Sequence, residues 1–429
     1  MHVQTLRIDH LVEKSREGQY YVVPFAVPEG VEALTVRYRY PRGAAPLKNC
    51  IDLGLENADG VFLGWSGGAR ESVTVGEYTA TPGYRMQPVT PGIWYILVGA
   101  YHVQEDGVPV EYTVEFTPRQ PRWLFGDLHV HSDASDGQHD IPTLCRMAQQ
   151  KGLDFLSVTN HNNYAENLHL PKVPGLTLIP GVEWTHYKGH INFFGAPVPF
   201  AGFIANSEEE MHRVLDTARA AGSVISVNHP KCPLCPCLWQ DDGFFTMMEV
   251  WNGPMRPANL RAIAWWTQLL AQGRHIAAVG GSDFHRDRQP VRLANPVTAV
   301  YTPDRSAPAI LAAAQAGHSY ITCGMRGPRL ALECSGHSFG DTVPAAAVDK
   351  TIRFSAEKLP HGAVLKLISA DENGQIVTLS SVRRGKGGNA QGNYRPAGTP
   401  PRFVYLLAIV KLPFFGEYPL AISNPIWFE

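Results

Sequence analysis

Between about residues 19 and 118 apolar and polar positions alternate in short runs, YYVVPFAV, EALTVRYRY, WYILVGAY and EYTVEFTP, separated by clusters of Gly, Pro, Asn and Asp. A period of two bounded by turn residues predicts strands, and a series of such strands predicts a β-sandwich over residues 1–120. The prolines of PRQPRW (Pro118–Trp123) resist both helix and inner strand, which marks a linker. Beyond it the pattern changes. Strand-like runs (GDLHVHS, DFLSVTNH, LTLIPGVEW, HINFFG, SVISVNH, MMEVWN, AAVGGSD, TAVYT) alternate with helix-like ones (DIPTLCRMAQQKG, SEEEMHRVLDTARAAG, RPANLRAIAWWTQLLAQG, APAILAAAQAG). Ser207 with Glu210 forms a capping box, and Gly222, Gly273 and Gly317 stand where helices should stop. Strand–helix alternation with apolar strands predicts an α/β fold over 121–326, as a parallel barrel or a doubly wound sheet. From 327 to 429 β-type text returns (LALEC, TIRFSAE, VLKLISA, FVYLLAIV), predicting a small C-terminal β-domain, with polar, Gly- and Pro-rich Arg383–Arg402 as a long loop.

Composition narrows the classes. A chain of 429 residues favours more than one domain, and 44% hydrophobic with 18% charged residues excludes a disordered or coiled-coil chain. Lys+Arg 37 against Asp+Glu 39 leaves a net charge of −2, without the basic excess that nucleic-acid phosphates demand. No apolar run reaches signal-peptide or membrane-span length, so the expectation is a soluble, cytoplasmic protein with no membrane partner. Seven cysteines, with Cys50, Cys145, Cys323 and Cys334 scattered singly, suggest no disulfide framework and agree with a reducing compartment.

The candidate chemistry sits at strand ends. In Asp127-Leu128-His129-Val130-His131 the strand period places both imidazoles on one face, a spacing that suits one chelated ion. Asp136 follows in the turn Ser132–Gly137, and further strand-like runs deliver His161, Glu183, His190, His229, Asp283 and His285. Each alone has an ordinary structural explanation. Together they make a set of six histidines and three carboxylates, and the C-terminal ends of parallel barrel strands would bring them to one mouth.

On the motifs DLHVHS, TNHN, GVEWTHYKGH and GSDFH, in that order, the segment from Trp123 to about Pro328 resembles the PHP (polymerase and histidinol phosphatase) metallohydrolases. VNHP, EVWNG, ILAAAQAGHSYITCGMRGP and the terminal SNPIWF resemble the CehA/McbA-like branch of that family. The resemblance implies a distorted (β/α)7 barrel with two or three divalent transition metal ions. Carried over motif by motif, His129, His131, Glu183 and Asp283 would hold one ion. Glu183 would bridge to a second, held also by His190 and His229, and Asp136, His161 and His285 would hold the third. Nitrogen and oxygen donors suit Mn, Fe or Zn. One departure stands out: the family usually has Asp where this chain has Asn160. If that position backs a ligand, Asn keeps an acceptor but loses charge, which would weaken or retune one metal.

Clustered ions would lower the pKa of a bridging water and polarise a phosphoryl or carbonyl oxygen. Glu183 and Asp283 are therefore candidate catalytic residues as well as ligands. Arg286 is a candidate for stabilising developing charge, and Arg288, Lys188 and Lys231 for holding an anionic substrate. His186 is a candidate proton donor to the leaving group or a structural part of the WTHYKGH loop, and Asn252 in EVWNG a candidate substrate contact. Cys232-Pro-Leu-Cys235-Pro-Cys237 has either a metal or redox role or lines the pocket; no nearby His or second Cys pair completes a zinc set. The leading expectation is a phosphoesterase acting on a small-molecule phosphate mono- or diester. The alternatives are a hydrolase of carbamate or carboxylic esters using the same metals, and a non-catalytic metal-binding or scaffold protein.

Overall fold

Every alternating run of the N-terminal segment is a strand in the computed structural model, which describes all residues except 1–3, 44–47, 289, 372, 374 and 414. The chain divides into two units: Met1–Gln120 with Lys172–Gly175, and Pro121–Pro171 with Leu176–Glu429. The first contains β1 (Gln4–Val12), β2 (Tyr20–Val27), β3 (Val31–Arg39), β4 (Cys50–Glu56), β5 (Phe62–Gly67), β6 (Ser72–Gly76), β7 (Gly92–His102) and β8 (Val108–Pro118). They form two four-stranded sheets, ordered β1-β8-β3-β6 and β2-β7-β4-β5. Alternate residues of both sheets, among them Leu34 and Val36 on β3, Phe25 on β2, and Trp94 and Ile96 on β7, are buried, and the two apolar faces share one core.

The second unit carries β9 (Arg122–Val130), α1 (Ile141–Lys151), β10 (Phe155–Val158), β11 (Thr177–His186), β12 (Gly189–Phe194), α2 (Glu208–Ala220), β13 (Val224–Val227), β14 (Met247–Asn252), α3 (Pro257–Ala271), β15 (Ala277–Gly281), β16 (Val297–Thr302), α4 (Ala307–Gln315) and β17 (Ser319–Thr322). The helices begin where the caps require. Asp140 accepts from the Thr143 amide and Ser207 from the Glu210 amide, although Glu210 itself accepts from Asn206 N–H (2.6 Å) rather than closing the full box. Strands β10, β14, β15 and β17 are buried along their whole length, as sheets covered on both faces require.

The sheet order is β15-β14-β13-β12-β11-β10-β9-β16-β17 and onward, but the expected (β/α)7 barrel is corrected in two respects. First, β12 runs antiparallel to both β11 and β13. The tight turn from His186 to Gly189 leaves no length for a crossover helix, and the described residues hold only four α-helices. Second, no closed barrel forms among the described residues. Strand β15 returns to β9 through a single bridge, Val130 to Phe284, with Asp283 N–H donating to His129 O (2.8 Å) and His131 N–H to Phe284 O (3.0 Å). Gly281 permits this approach: a Cβ there would collide with the His129 side chain and lie 2.8 Å from Glu249 Oε1.

Residues 327–429, expected as a third domain, lie within the second unit. The strand Gly416–Ser423 pairs with β17 and extends the large sheet through Phe403–Leu412. The terminal SNPIWF segment docks: Asn424 Oδ1 accepts from Ala278 N–H (2.7 Å), and its Nδ2 donates to Ala278 O (3.0 Å) and Ser319 Oγ (2.8 Å). The expected long loop Arg383–Arg402 contains a strand, Ala390–Tyr394, paired with Ile352–Glu357. Gly392 allows that pairing, since a Cβ there would overlap the Phe354 ring. Among the described residues no helix is long and apolar enough to cross a membrane, and all seven cysteines are free thiols.

Candidate metal centre

The DLHVHS strand sets the frame. Residues 127 and 129 share a face of β9, His131 follows directly after its end, and all three are buried. Asp127 accepts from the amides of His129 (3.2 Å), Ser282 (2.8 Å) and Ala294 (2.9 Å), tying β9 to the GSDFH loop. Burial pushes its carboxyl up to about 6 against those donors.

Glu183, fully buried on β11, is the hub. Its Oε1 lies 3.4 Å from His129 Nε2, 3.1 Å from His190 Nδ1 and 3.2 Å from His229 Nε2, and accepts from Asn228 Nδ2 (2.9 Å). Its Oε2 lies 3.4 Å from His131 Nε2 and 2.9 Å from His161 Nδ1. Asp283 Oδ1 adds a second inner oxygen, 3.4 Å from His129 Nε2 and 3.2 Å from His131 Nε2. On the outer side Asp136 Oδ1 is 3.3 Å from His285 Nε2, 3.6 Å from His161 Nε2 and 3.9 Å from His131 Nδ1. The SDASDG turn is wound tightly enough that a Cβ on Gly137 would strike the carbonyls of His131 and Ser132. All nine residues carried over as ligands therefore meet in one place.

The donor set fits cations. Groups with ligand atoms within 4.8 Å of one another include His131, Asp136, His161 and His285; His129, His131 and Asp283; His129, Glu183 and His229; and His161, Glu183 and His190. His129 Nε2, both nitrogens of His131 and Glu183 Oε2 are buried without a hydrogen-bond partner, which is costly unless something else satisfies them. Burial drives His131 down to about 4, so its ring is neutral and offers lone pairs. Burial alone would raise Glu183 and Asp283, but the surrounding imidazoles, His129 foremost, hold both well below the usual carboxylate range. For His129 the order is the same: burial lowers it, and the carboxylates of Glu249, Glu183 and Asp283 together carry it well above its ordinary value. Ionised carboxylates set among imidazoles, Glu183 buried and Asp283 partly exposed, call for positive charge at the centre, which divalent ions would supply without protonating the rings.

Outer partners orient the rings. His129 Nδ1 is 3.0 Å from Glu249 Oε1, while Glu249 Oε2 accepts from His229 N–H (3.0 Å) and Asn252 Nδ2 (3.1 Å). Thr185 Oγ1, which donates to Glu183 O (3.1 Å), lies 2.6 Å from His161 Nδ1. His285 Nδ1 is 2.9 Å from the Asp283 carbonyl. His229 and Asp283 adopt φ of +28° and +56°, left-handed backbone that the surrounding bonds must hold in place.

Several candidates from the sequence have other work. Asn252 is buried, bonded to Glu249 and accepting from Arg256 Nη2 (3.0 Å), and it also lines a cavity beside His229. His186 lies against Trp239 (4.6 Å) and Trp184 (5.6 Å), and its Nδ1 accepts from Lys188 N–H (3.0 Å). Burial lowers its pKa from the ordinary imidazole value. Lys188 Nζ pairs with Glu208 (3.3 Å) and lies over Trp239, and Lys231 Nζ sits 3.9 Å over Trp265. Arg286 stays at the centre's edge, donating to Asp136 O (3.0 Å); Arg288 is an exposed residue of the same turn. Asn160 backs no imidazole. Its Oδ1 accepts from Ser132 N–H (2.8 Å) and Ser135 Oγ (2.9 Å), and its Nδ2 donates to Glu166 Oε2 (2.7 Å), so it braces the turn carrying Asp136 and the carboxylate stands one residue further out.

Sequence reasoning passed over Glu249, Asn228 and Asp127. Each has a signal: a charged residue inside the apolar run MMEVWN, an Asn beside His229, and an Asp two residues before His129.

No family model matches the chain, and no curated protein does. Among solved structures it is similar to a two-domain protein from Bacteroides vulgatus containing a predicted PHP-like metal-dependent phosphoesterase, at 17% identity and TM-score 0.41 over 70% of this chain and 95% of that one. It is also similar to an amidohydrolase from Chromobacterium violaceum with bound sulfate and no metal, at 18% identity and TM-score 0.27 over 39% of this chain and 89% of that one. At such identities and scores these likenesses say nothing about the reaction.

Proposed function

We propose that the centre is the active site of a metal-dependent hydrolase, cleaving a phosphate mono- or diester of a small molecule. The observation that carries this reading is the convergence of six imidazoles on Glu183, Asp283 and Asp136, with four buried ring and carboxylate atoms left without hydrogen bonds. Divalent ions, when bound, supply an activated water and a Lewis acid for a phosphoryl oxygen. The chain's own residues do the rest. Glu183 and Asp283 hold the inner side, and Glu249 and Asp127 keep β9 and its histidines in register. Access is from the outer side, where Asp136, His161 and His285 keep side-chain exposures of 52%, 27% and 20%. Arg286, exposed and anchored on the Asp136 carbonyl, places a cation where an anionic substrate approaches.

One observation favours a second reading, the carbamate or carboxylic ester. A cavity of ≈ 300 Å³ touches His229 and is lined by Pro233, Leu234, Pro257 and Ala262 together with Asn252 and Arg256, room for a largely apolar group beside the centre. The test is to purify the protein without chelator, count its metals by elemental analysis, and assay p-nitrophenyl phosphate, bis-p-nitrophenyl phosphate and 1-naphthyl methylcarbamate with Mn or Fe(II) added. Two or three metals with phosphoester turnover support the leading reading, and carbamate turnover alone promotes the second. A protein without metal or turnover is a scaffold, and the proposal fails.

A further inference from the structure

The CPLCPC segment folds back onto the metal centre. Cys232 N–H donates to His229 O (2.8 Å), Cys237 N–H to Pro230 O (3.0 Å), and Leu238 N–H to Lys188 O (2.7 Å). This winding brings Cys235 Sγ within 3.6 Å of His229 Nδ1. The other nitrogen of that ring, Nε2, faces Glu183 Oε1 at 3.2 Å. Cys235, His190 and His229 also offer donor atoms within 4.8 Å of one another, so the sulfur belongs to the geometry of the centre and not to its surroundings.

We propose that Cys235 is a positioning residue for His229: its sulfur accepts a hydrogen bond from Nδ1–H and thereby presents Nε2 to the inner ion. The inference rests on the metal-centre reading. An imidazole that binds an ion through one nitrogen carries its proton on the other, and the acceptor there fixes both tautomer and ring orientation. Three other rings of the cluster have oxygen in that role: Glu249 for His129, Thr185 for His161 and the Asp283 carbonyl for His285. His229 alone of these four has sulfur. It needs the restraint, because its backbone is left-handed and its amide is already committed to Glu249. A thiol is a softer and weaker acceptor than a carboxylate, so this corner is held less firmly than the His129 corner.

The test compares the full-length wild type with Cys235→Ala, Cys235→Ser and, as a control, Cys237→Ser. Zinc affinity is measured by competition with a chromophoric chelator, and Co(II)-loaded protein is scanned for sulfur-to-metal charge transfer. The expected result is that Cys235→Ala weakens one bound equivalent by roughly 10–100-fold, the usual loss for an outer partner of a metal-binding histidine. Cys235→Ser should recover most of that affinity, Cys237→Ser should match the wild type, and the cobalt spectrum should show no sulfur band. Selective 15N labelling of histidine gives a second readout: His229 is the Nδ1–H tautomer in zinc-loaded wild type and loses that uniformity in Cys235→Ala. A sulfur-to-cobalt band that disappears in Cys235→Ser overturns the proposal by making the sulfur a ligand. Unchanged zinc affinity in Cys235→Ala overturns it too, with the metal centre intact. A wild type that binds neither zinc nor cobalt removes the metal reading itself, and the proposal with it.

Discussion

Around Glu183 the centre is sealed, with the His129, His131 and Glu183 side chains 0–1% exposed, while around Asp136 it is open, that carboxylate being 52% exposed. The inner corner removes charge from water and repays it only if the pairing is complete. It also has the denser bracing, from Glu249, Asn228 and Asp127. The outer corner is solvated and held by one carboxylate on a turn. On the proposed reading, the contrast would assign retention of metal to one side and exchange, with substrate entry, to the other.

The largest effect should follow Glu183→Ala, which removes the oxygens shared by five imidazoles. Elemental analysis should find the metals lost, turnover should fall to background, and stability should drop by about 3–5 kcal/mol as buried rings lose their counter-charge. Full metal content and activity in this variant would remove any inner corner from the account. Next comes Asp136→Ala. It should cost one metal equivalent and on the order of 10²-fold in kcat, with the remaining ions retained; loss of every ion would show that the corners are one unit. Glu249→Gln should weaken inner metal affinity by roughly 10–100-fold, read by chelator competition, and leave the outer site unaffected.

Acidification separates the corners by pH. Protons compete with metals for imidazole nitrogen, so gel-filtered protein should lose its outer equivalent first as pH falls below about 6.5. The sign for His131 follows from its depressed value: the unfolded ring takes a proton near 6.5, the buried ring only near 4. Stability linked to it is present above that window and lost as pH falls through it. Release of all metals in a single step at one pH would merge the two corners. The smallest effect on catalysis belongs to Asn252→Ala, which should cost about 1 kcal/mol of stability by removing one of the two hydrogen bonds to Glu249 Oε2 while KM stays unchanged. A large rise in KM would return Asn252 to the substrate.

The convergence of these nine side chains was legible because metal chemistry restricts residue type, and the strand period places such residues on one face: His129 and His131 are two apart along the DLHVHS run. The sandwich was legible for a related reason, since its strands alternate cleanly, as Val23, Phe25 and Val27 do on β2. What the sequence hid was set by distant partners. Lys188 and Lys231 read as free cations because nothing local shows that Trp239, Glu208 and Trp265 will engage them. Asn252 read as a substrate contact because its bond to Glu249 depends on which face of β14 turns inward. The failure of the barrel to close was likewise illegible, since the return of the sheet to β9 rests on one isolated bridge, Val130 to Phe284. The pairing of β17 with Gly416–Ser423, which joins residues 327–429 to the second unit, was hidden because it spans about a hundred intervening residues.

The clasp between Asn424 and Ala278 has a consequence for biogenesis. The two residues are 146 positions apart, yet Ala278 lies on the strand that leads into Asp283. On the ribosome that strand emerges long before the side chain that will pin it, so ligands are synthesised in one order and secured in another. If the centre binds metal as proposed, nascent chains arrested short of residue 424 should retain less zinc than the released chain.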